Sequence, residues 1–221
     1  MDTFLFAYYP YICLTVMVTG ILFRYRDAPE TWNSHSTALL EKRWLDIGAP
    51  LFHCGVLLAL MGHLAGLLLP DGFWEAVLGS TDRHDAIALF AGKFVAVFMA
   101  VGLGILLLRK VAFPRVRAVS RFTDYLVVFL IFVNITTGIE QVFFLEAPMF
   151  MLYGPWLRGI LSFSPDPSFA SSGPLFMQVH VVSAFTIFAL IPYTRLVHFL
   201  SAPFTYAVRR LIVMRARYAG L

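Results

Sequence analysis

Four histidines in this 221-residue chain stand where water is not their natural partner. His53 and His63 lie in the apolar stretch LFHCGVLLALMGHLAG (51–66), and His180 and His198 lie in a second apolar run, 178–200. An imidazole in a hydrocarbon core costs free energy unless its nitrogens find partners. His53 and His63 are ten residues apart, a rise of about 15 Å on a helix. His180 and His198 are eighteen apart, about 27 Å and five whole turns, so they face the same way. Ten residues leave His53 and His63 about 80° apart around an ideal helix.

The composition says what must position them. The chain is 59% hydrophobic and only 14% charged, where a soluble domain carries about a quarter charged residues. That favours one all-α integral membrane domain over residues 1–221, with no separate soluble module. Five stretches reach the ~20 residues a helix needs to span: 4–23, 47–69, 86–108, 125–145 and 178–200. Pro10 and Pro192 are expected to kink spans one and five, and Pro70-Asp71-Gly72 ends span two. MDTFLF lacks a basic signal-peptide start, so the first span is expected to be retained.

Charge sets the expected orientation. Arg24, Arg26, Lys42, Arg43, then Arg109, Lys110, Arg115, Arg117, Arg121, then Arg195, Arg209, Arg210, Arg215 and Arg217 fall on one side. Only Arg83 and Arg158 fall on the other, with Lys93 inside span three. The positive-inside rule puts the N-terminus outside and the C-terminus in the cytoplasm. The same placement explains the net charge of +4 without invoking nucleic acid. Cys13 and Cys54 form no CxxC or CxxCH and give no disulfide framework, iron–sulfur site or covalent haem attachment.

Spans two and five then run antiparallel. His53 shares the cytoplasmic half with His198, and His63 shares the outer half with His180. Two pairs at two depths are what bis-histidine ligation of two stacked haems requires. The unequal 15 and 27 Å separations demand tilt or a kink, and Pro192 lies where a kink would help. Gly55, Gly62 and Gly66 would let a flat macrocycle approach the backbone. Interhelical hydrogen bonds are the competing reading of any single histidine, but four in complementary positions favour haem. A non-haem metal is disfavoured because no carboxylate shares those positions.

Around this constellation the chain offers less. Met149–Leu161 is apolar but too short to span, and reads as a short interfacial helix. The following SPDPSFASSGP reads as irregular. FTYAVRRLIVMRAR, after Pro203, is a basic amphipathic tail for anionic lipid, a cytoplasmic partner or plain solvent. His35 falls in a polar loop. Asn134, Thr136 and Thr137 read as helix-packing residues. Lys93 either snorkels outward or faces the outer-half site.

Several segments resemble one family. FHCGVLLALMGHLAG and RLVHFLSAPFTYAVRR (195–210), with RYRDAPETWNSHSTALLEKRWLDIGAPLFH and FPRVRAVSRFTDY, resemble the gamma subunit of respiratory nitrate reductase, a cytochrome b. The resemblance covers nearly the whole chain, and the histidine spacings of ten and eighteen match. It implies a multi-pass subunit of the bacterial or archaeal cytoplasmic (inner) membrane with two non-covalent haems b. His63 and His180 would ligate the outer haem, and His53 and His198 the inner. The family oxidises quinol, mena- or ubiquinol, near the outer haem. It feeds an iron–sulfur beta subunit and then a molybdenum-containing alpha subunit that reduces nitrate. The resemblance maps the quinol site onto Gly62, His63 and a basic residue before span three, Arg83 or His84. Arg83 is the preferred one, for a hydrogen bond to a quinone oxygen, although the His84 imidazole is the better proton acceptor near neutral pH.

Arg195, one turn before His198, has two readings: a bidentate partner for an inner-haem propionate, or ordinary positive-inside placement. Other functions compete with the main one. A related membrane cytochrome of a heterodisulfide reductase-like or sulfite reductase-linked complex would keep the haems. A non-haem transporter or proton relay would use the histidines without them.

Overall fold

The computed structural model describes residues 1–28, 31–32, 37, 40–146 and 149–200, and holds helices and turns with no strand among them. Five stretches are long and apolar enough to cross a membrane: Phe4–Asp27, Arg43–Leu68, Thr81–Ala112, Phe122–Leu145 and Leu175–Tyr193. In order, α1 is Tyr9–Asp27, α2 Arg43–Leu68, α3 Asp71–Leu78, α4 Thr81–Ala112 and α5 Pro114–Ala118. Then come α6, Phe122–Ile139, α7, Phe150–Leu161, α8, Pro167–Ser171, and α9, Leu175–Leu190. His35 and the basic tail after Pro203 lie outside the described residues.

Helices overrun the apolar windows because polar residues start them well. The Ser80 hydroxyl accepts from the Asp82 amide at 3.1 Å and caps α4, satisfying a donor the helix cannot. α4 therefore begins at Thr81, and Arg83 and His84 stand in its first turn rather than in a loop. Pro10 falls inside the continuous helical stretch Phe4–Asp27. It cannot donate to Phe6 O, which the Trp156 indole takes instead, and a widened π turn at Phe4–Tyr8 precedes it. The region 164–174 is not irregular throughout, since Asp166 caps the short α8.

Span five is not one helix to residue 200. α9 stops at Leu190, Ile191–Tyr193 and Arg195–Val197 form single 3₁₀ turns, and Thr194 between them is extended. Pro192 cannot donate to the helical ladder, and the break frees carbonyls. Arg24 of α1 closes them: its guanidinium donates to Pro192 O at 2.6 Å and Thr194 O at 3.1 Å, and to Thr31. A Cβ on Gly20, one turn earlier, would meet Pro192 at 2.7 Å, so only glycine lets α1 reach this elbow. His198 follows the elbow, which makes Arg24 part of what aims it. Arg24→Ala is expected to reduce occupancy of the His53/His198 site while sparing the other pair, measured as haem bound per chain.

α2 lies along α4 through glycines, the small-residue device for close helix approach in membranes. A Cβ on Gly48 would meet Ile105 at 2.8 Å, one on Gly55 would meet Met99, and one on Gly102 would strike the Phe52 backbone. α9 packs on α6 and α1. α7 packs one face into the bundle. Tyr153, Trp156 and Ile160 are buried in a core with Phe6, Cys13, Ala170, Met177 and Phe185. The Trp156 indole donates to Phe6 O at 2.7 Å, and Arg158 donates to Leu67 O at 3.0 Å, closing the end of α2. Burial pushes the Tyr153 phenol up to about 12, so it stays a neutral group in that core.

Two histidine pairs as the candidate functional site

α2 and the α9 segment bring the four histidines together in two pairs. The His63 and His180 ring centres are 6.1 Å apart with planes 7° from parallel. The His53 and His198 centres are 5.9 Å apart with planes at 62°. The depth mismatch expected from two straight helices is absorbed by the elbow, which turns the chain between His180 and His198.

The hydrogen bonds define what each ring presents. His53 Nδ1 lies 2.7 Å from Ala49 O, His63 Nδ1 lies 2.6 Å from Ala59 O, and His198 Nδ1 bonds Arg195 O. A carbonyl only accepts, so each Nδ1 carries the proton. His180 Nδ1 meets Thr137 Oγ1 at 2.8 Å. That hydroxyl has the Val133 and Asn134 carbonyls in reach as acceptors of its own hydrogen, which lets it accept from the ring. Three histidines thus present the Nδ1–H tautomer a metal-ligating imidazole needs, and the partner of His180 admits the same tautomer.

The fit to an axially ligated iron is geometric. Two imidazole nitrogens on one metal at about 2.0–2.1 Å each set the ring centres about 6 Å apart, as both pairs are. No group of three or more His, Cys, Asp or Glu that could hold a metal ion exists among the described residues. A macrocycle would add four equatorial ligands to the two imidazoles of a pair. His53 and His63 are exposed on α2 rather than packed in protein. Of the three glycines expected to admit a flat ring, only Gly62 is open, with nothing within 4 Å of its Cβ position. Gly55 and Gly66 are filled by Met99 and Phe150.

The remaining residues fall into place around these pairs. Arg83 donates to Leu78 O at 3.1 Å and is exposed, closing the end of α3. His84 is 9% exposed, with Nδ1 3.0 Å from Asp85 Oδ1. Its ring stacks on Trp74 at 4.2 Å and meets Phe150 at 4.9 Å. Phe150 in turn sits on Gly66, one turn from Gly62. Lys93 pairs with Glu146. Arg195 Nε pairs with Asp124 at 2.9 Å and its Nη2 donates to Val119 O. Arg195, Asp124, Lys110, Phe52, Leu103 and His198 border a cavity of about 270 Å³. Arg24, Asp85, Trp74, Lys110 and Thr137 carry no spacing signal that marks them. They become visible only as contacts of the histidines and the elbow.

Paired imidazoles from two helices of a five-span bundle define the class: a multi-pass helical membrane protein carrying two histidine pairs. The family model described as the nitrate reductase gamma subunit matches residues 2–217, and the chain belongs to that family. It is 35% identical over 212 residues to the nitrate reductase gamma chain of Bacillus subtilis strain 168, covering 94% of this chain and 95% of that one. It is 34% identical over 223 residues to the respiratory nitrate reductase 2 gamma chain of Escherichia coli strain K12, covering 98% of each. A more distant similarity, 22% over 161 residues, reaches the Hdr-like menaquinol oxidoreductase cytochrome b-like subunit of Archaeoglobus profundus, covering 72% of this chain and 48% of that one. The protein is thus the gamma-type component of an oxidoreductase complex.

Proposed function

We propose that the chain, as one membrane domain, is the di-haem b subunit through which a respiratory nitrate reductase oxidises quinol. The observation that carries this is the pair of imidazole couples about 6 Å apart, every one with Nδ1 engaged. His63 and His180 would hold the outer haem, and His53 and His198 the inner. When bound there, haem supplies one-electron carriers at two depths, linking quinol at one face to an iron–sulfur beta and molybdenum alpha subunit at the other. The test is a pyridine haemochrome assay on the complex purified from membranes. Two haems b per chain are expected, and none would leave the histidines as a relay without cofactor.

The quinol site is proposed at Gly62, His63 and His84. Gly62 leaves room for a ring beside His63, and the aromatic wall of Trp74 and Phe150 holds His84. Asp85 accepts a hydrogen bond from Nδ1–H of His84, leaving Nε2 to receive a proton from the quinol hydroxyl. Arg83, exposed and donating through Nη1 to Leu78 O at the end of α3, is proposed to support the site from outside. His84→Gln is expected to slow quinol-driven haem reduction about 10²–10⁴-fold, the usual worth of a positioned proton acceptor, with dithionite-reduced spectra unchanged. Arg83→Gln is expected to do much less.

Arg195, oriented by Asp124, and Lys110 are proposed to face the propionates of the inner haem across the cavity they share with His198. Arg195→Ala is then expected to shift the inner haem's potential more than the outer's; equal shifts would argue for a purely topological arginine.

With the N-terminus outside, quinol oxidation would leave protons outside while electrons move inward. Each charge moved is worth about 2.3 kcal/mol at 100 mV. Proteoliposomes turning over nitrate should build a membrane potential. The archaeal similarity favours one second reading, a cytochrome of a heterodisulfide reductase-like complex. Co-purification separates the two: a molybdenum subunit supports the first and its absence the second.

A further inference from the structure

Three of the four histidines hand their Nδ1 proton to a backbone carbonyl three or four residues earlier: His53 to Ala49, His63 to Ala59, His198 to Arg195. His180 differs, because its partner is a side chain on another helix, Thr137 of α6. The Thr137 hydroxyl can accept from the ring while donating to Val133 O at 2.8 Å or Asn134 O at 3.1 Å. The neighbouring Gly138 keeps the approach open, its Cβ position 3.9 Å from His180 Cε1. One turn away, Asn134 Nδ2 donates to the buried Ser183 hydroxyl at 2.7 Å. The α6–α9 register therefore has its own fastening and does not rest on Thr137. Thr136, the adjacent threonine, bonds back onto its own helix.

We infer that Thr137 is a positioning residue which fixes the His180 ring and lowers the reduction potential of the haem proposed to bind between His63 and His180. An acceptor on Nδ1–H makes the imidazole a stronger donor to iron. A stronger donor favours the ferric state, and second-shell hydrogen bonding is one of the protein's levers on haem potential. The inference rests on the haem reading above and adds to it the side chain that tunes one site and not the other.

The test compares Thr137→Val, which replaces the hydroxyl by a methyl at nearly the same volume, with Thr137→Ser, which restores the acceptor. Haem per chain is counted first, and equilibrium redox titration then follows both haem components. The outer component is identified as the one His63→Ala removes. In Thr137→Val, two haems per chain are expected. The ferrous-to-ferric ratio of the outer component at a fixed ambient potential should rise about three- to tenfold, tenfold being about 59 mV for one electron. The inner component should not move, and Thr137→Ser should titrate as the parent does. Loss of the outer haem in the valine variant but not in the serine variant would support the same role through the ring's orientation. An unmoved outer potential with both haems present overturns the inference, as it would if the Asn134 carbonyl, also within reach of the ring, took over the proton. Equal movement of both components, or a serine variant that behaves like valine, overturns it too. A parent complex without haem b overturns the functional reading itself and is seen before any variant is compared.

Discussion

His63→Ala is expected to leave one haem b per chain and to abolish quinol oxidation, with the inner haem's spectrum intact. The ring of His63 meets only His180 among the histidines, while His53 meets His198. Its loss deletes half of one ligand set and none of the other. Removing a mere outer-shell partner of a metal ligand already costs about 10–100-fold, so removing the ligand should exceed that. Gly62 beside it leaves the room proposed for quinol, and the same substitution takes away the ring that borders it. Quinol-driven reduction of the remaining haem should fall to background while dithionite reduction proceeds. Disappearance of both haems would mean that the two sites are one cooperative unit.

Gly102→Ala is expected to do what His63→Ala does not, and cost both sites together. A Cβ at Gly102 would fall against the Phe52 amide and 2.8 Å from the Phe52 Cα. The neighbour is backbone, so no rotamer change relieves the clash. Overpacking typically costs about 1–3 kcal/mol, and here it is relieved only by moving α2 off α4. α2 carries both His53 and His63. Haem per chain should drop for both components, with the purified variant melting at lower temperature. Gly104→Ala, two residues on with nothing within 4 Å of its Cβ position, serves as the silent control.

The pairing of histidines was legible in the sequence because it depends on two things a sequence carries well. Apolar length gives the number of crossings, and the odd number separating the starts of spans two and five makes them antiparallel. The means of pairing was legible only in part: Pro192 marked the place of a kink, not what would hold it. Reading 178–200 as one helix makes His180 and His198 face alike but stand too far apart. The correction is a break at Pro192 whose carbonyls are satisfied by Arg24, 168 residues away. Proline marks where a helix can break, yet only the tertiary partner decides that it does. Gly55 and Gly66 show the same limit: a glycine's period on α2 says that something approaches, and the fold says that it is Met99 and Phe150. Arg83 and His84 are adjacent and both basic, so composition cannot rank them. The capping of α4 by Ser80 turns one outward onto α3 and the other into the Trp74–Phe150 wall.

The central claim is that four histidines make two independent couples, and haem counting in double variants tests it most directly. His53→Ala with His198→Ala removes one couple, so the complex purified from membranes should keep one haem b per chain. His63→Ala with His180→Ala should also keep one. His53→Ala with His180→Ala breaks both couples and should keep none. A cross-couple variant that retains a haem, or a within-couple variant that loses both, would contradict the account.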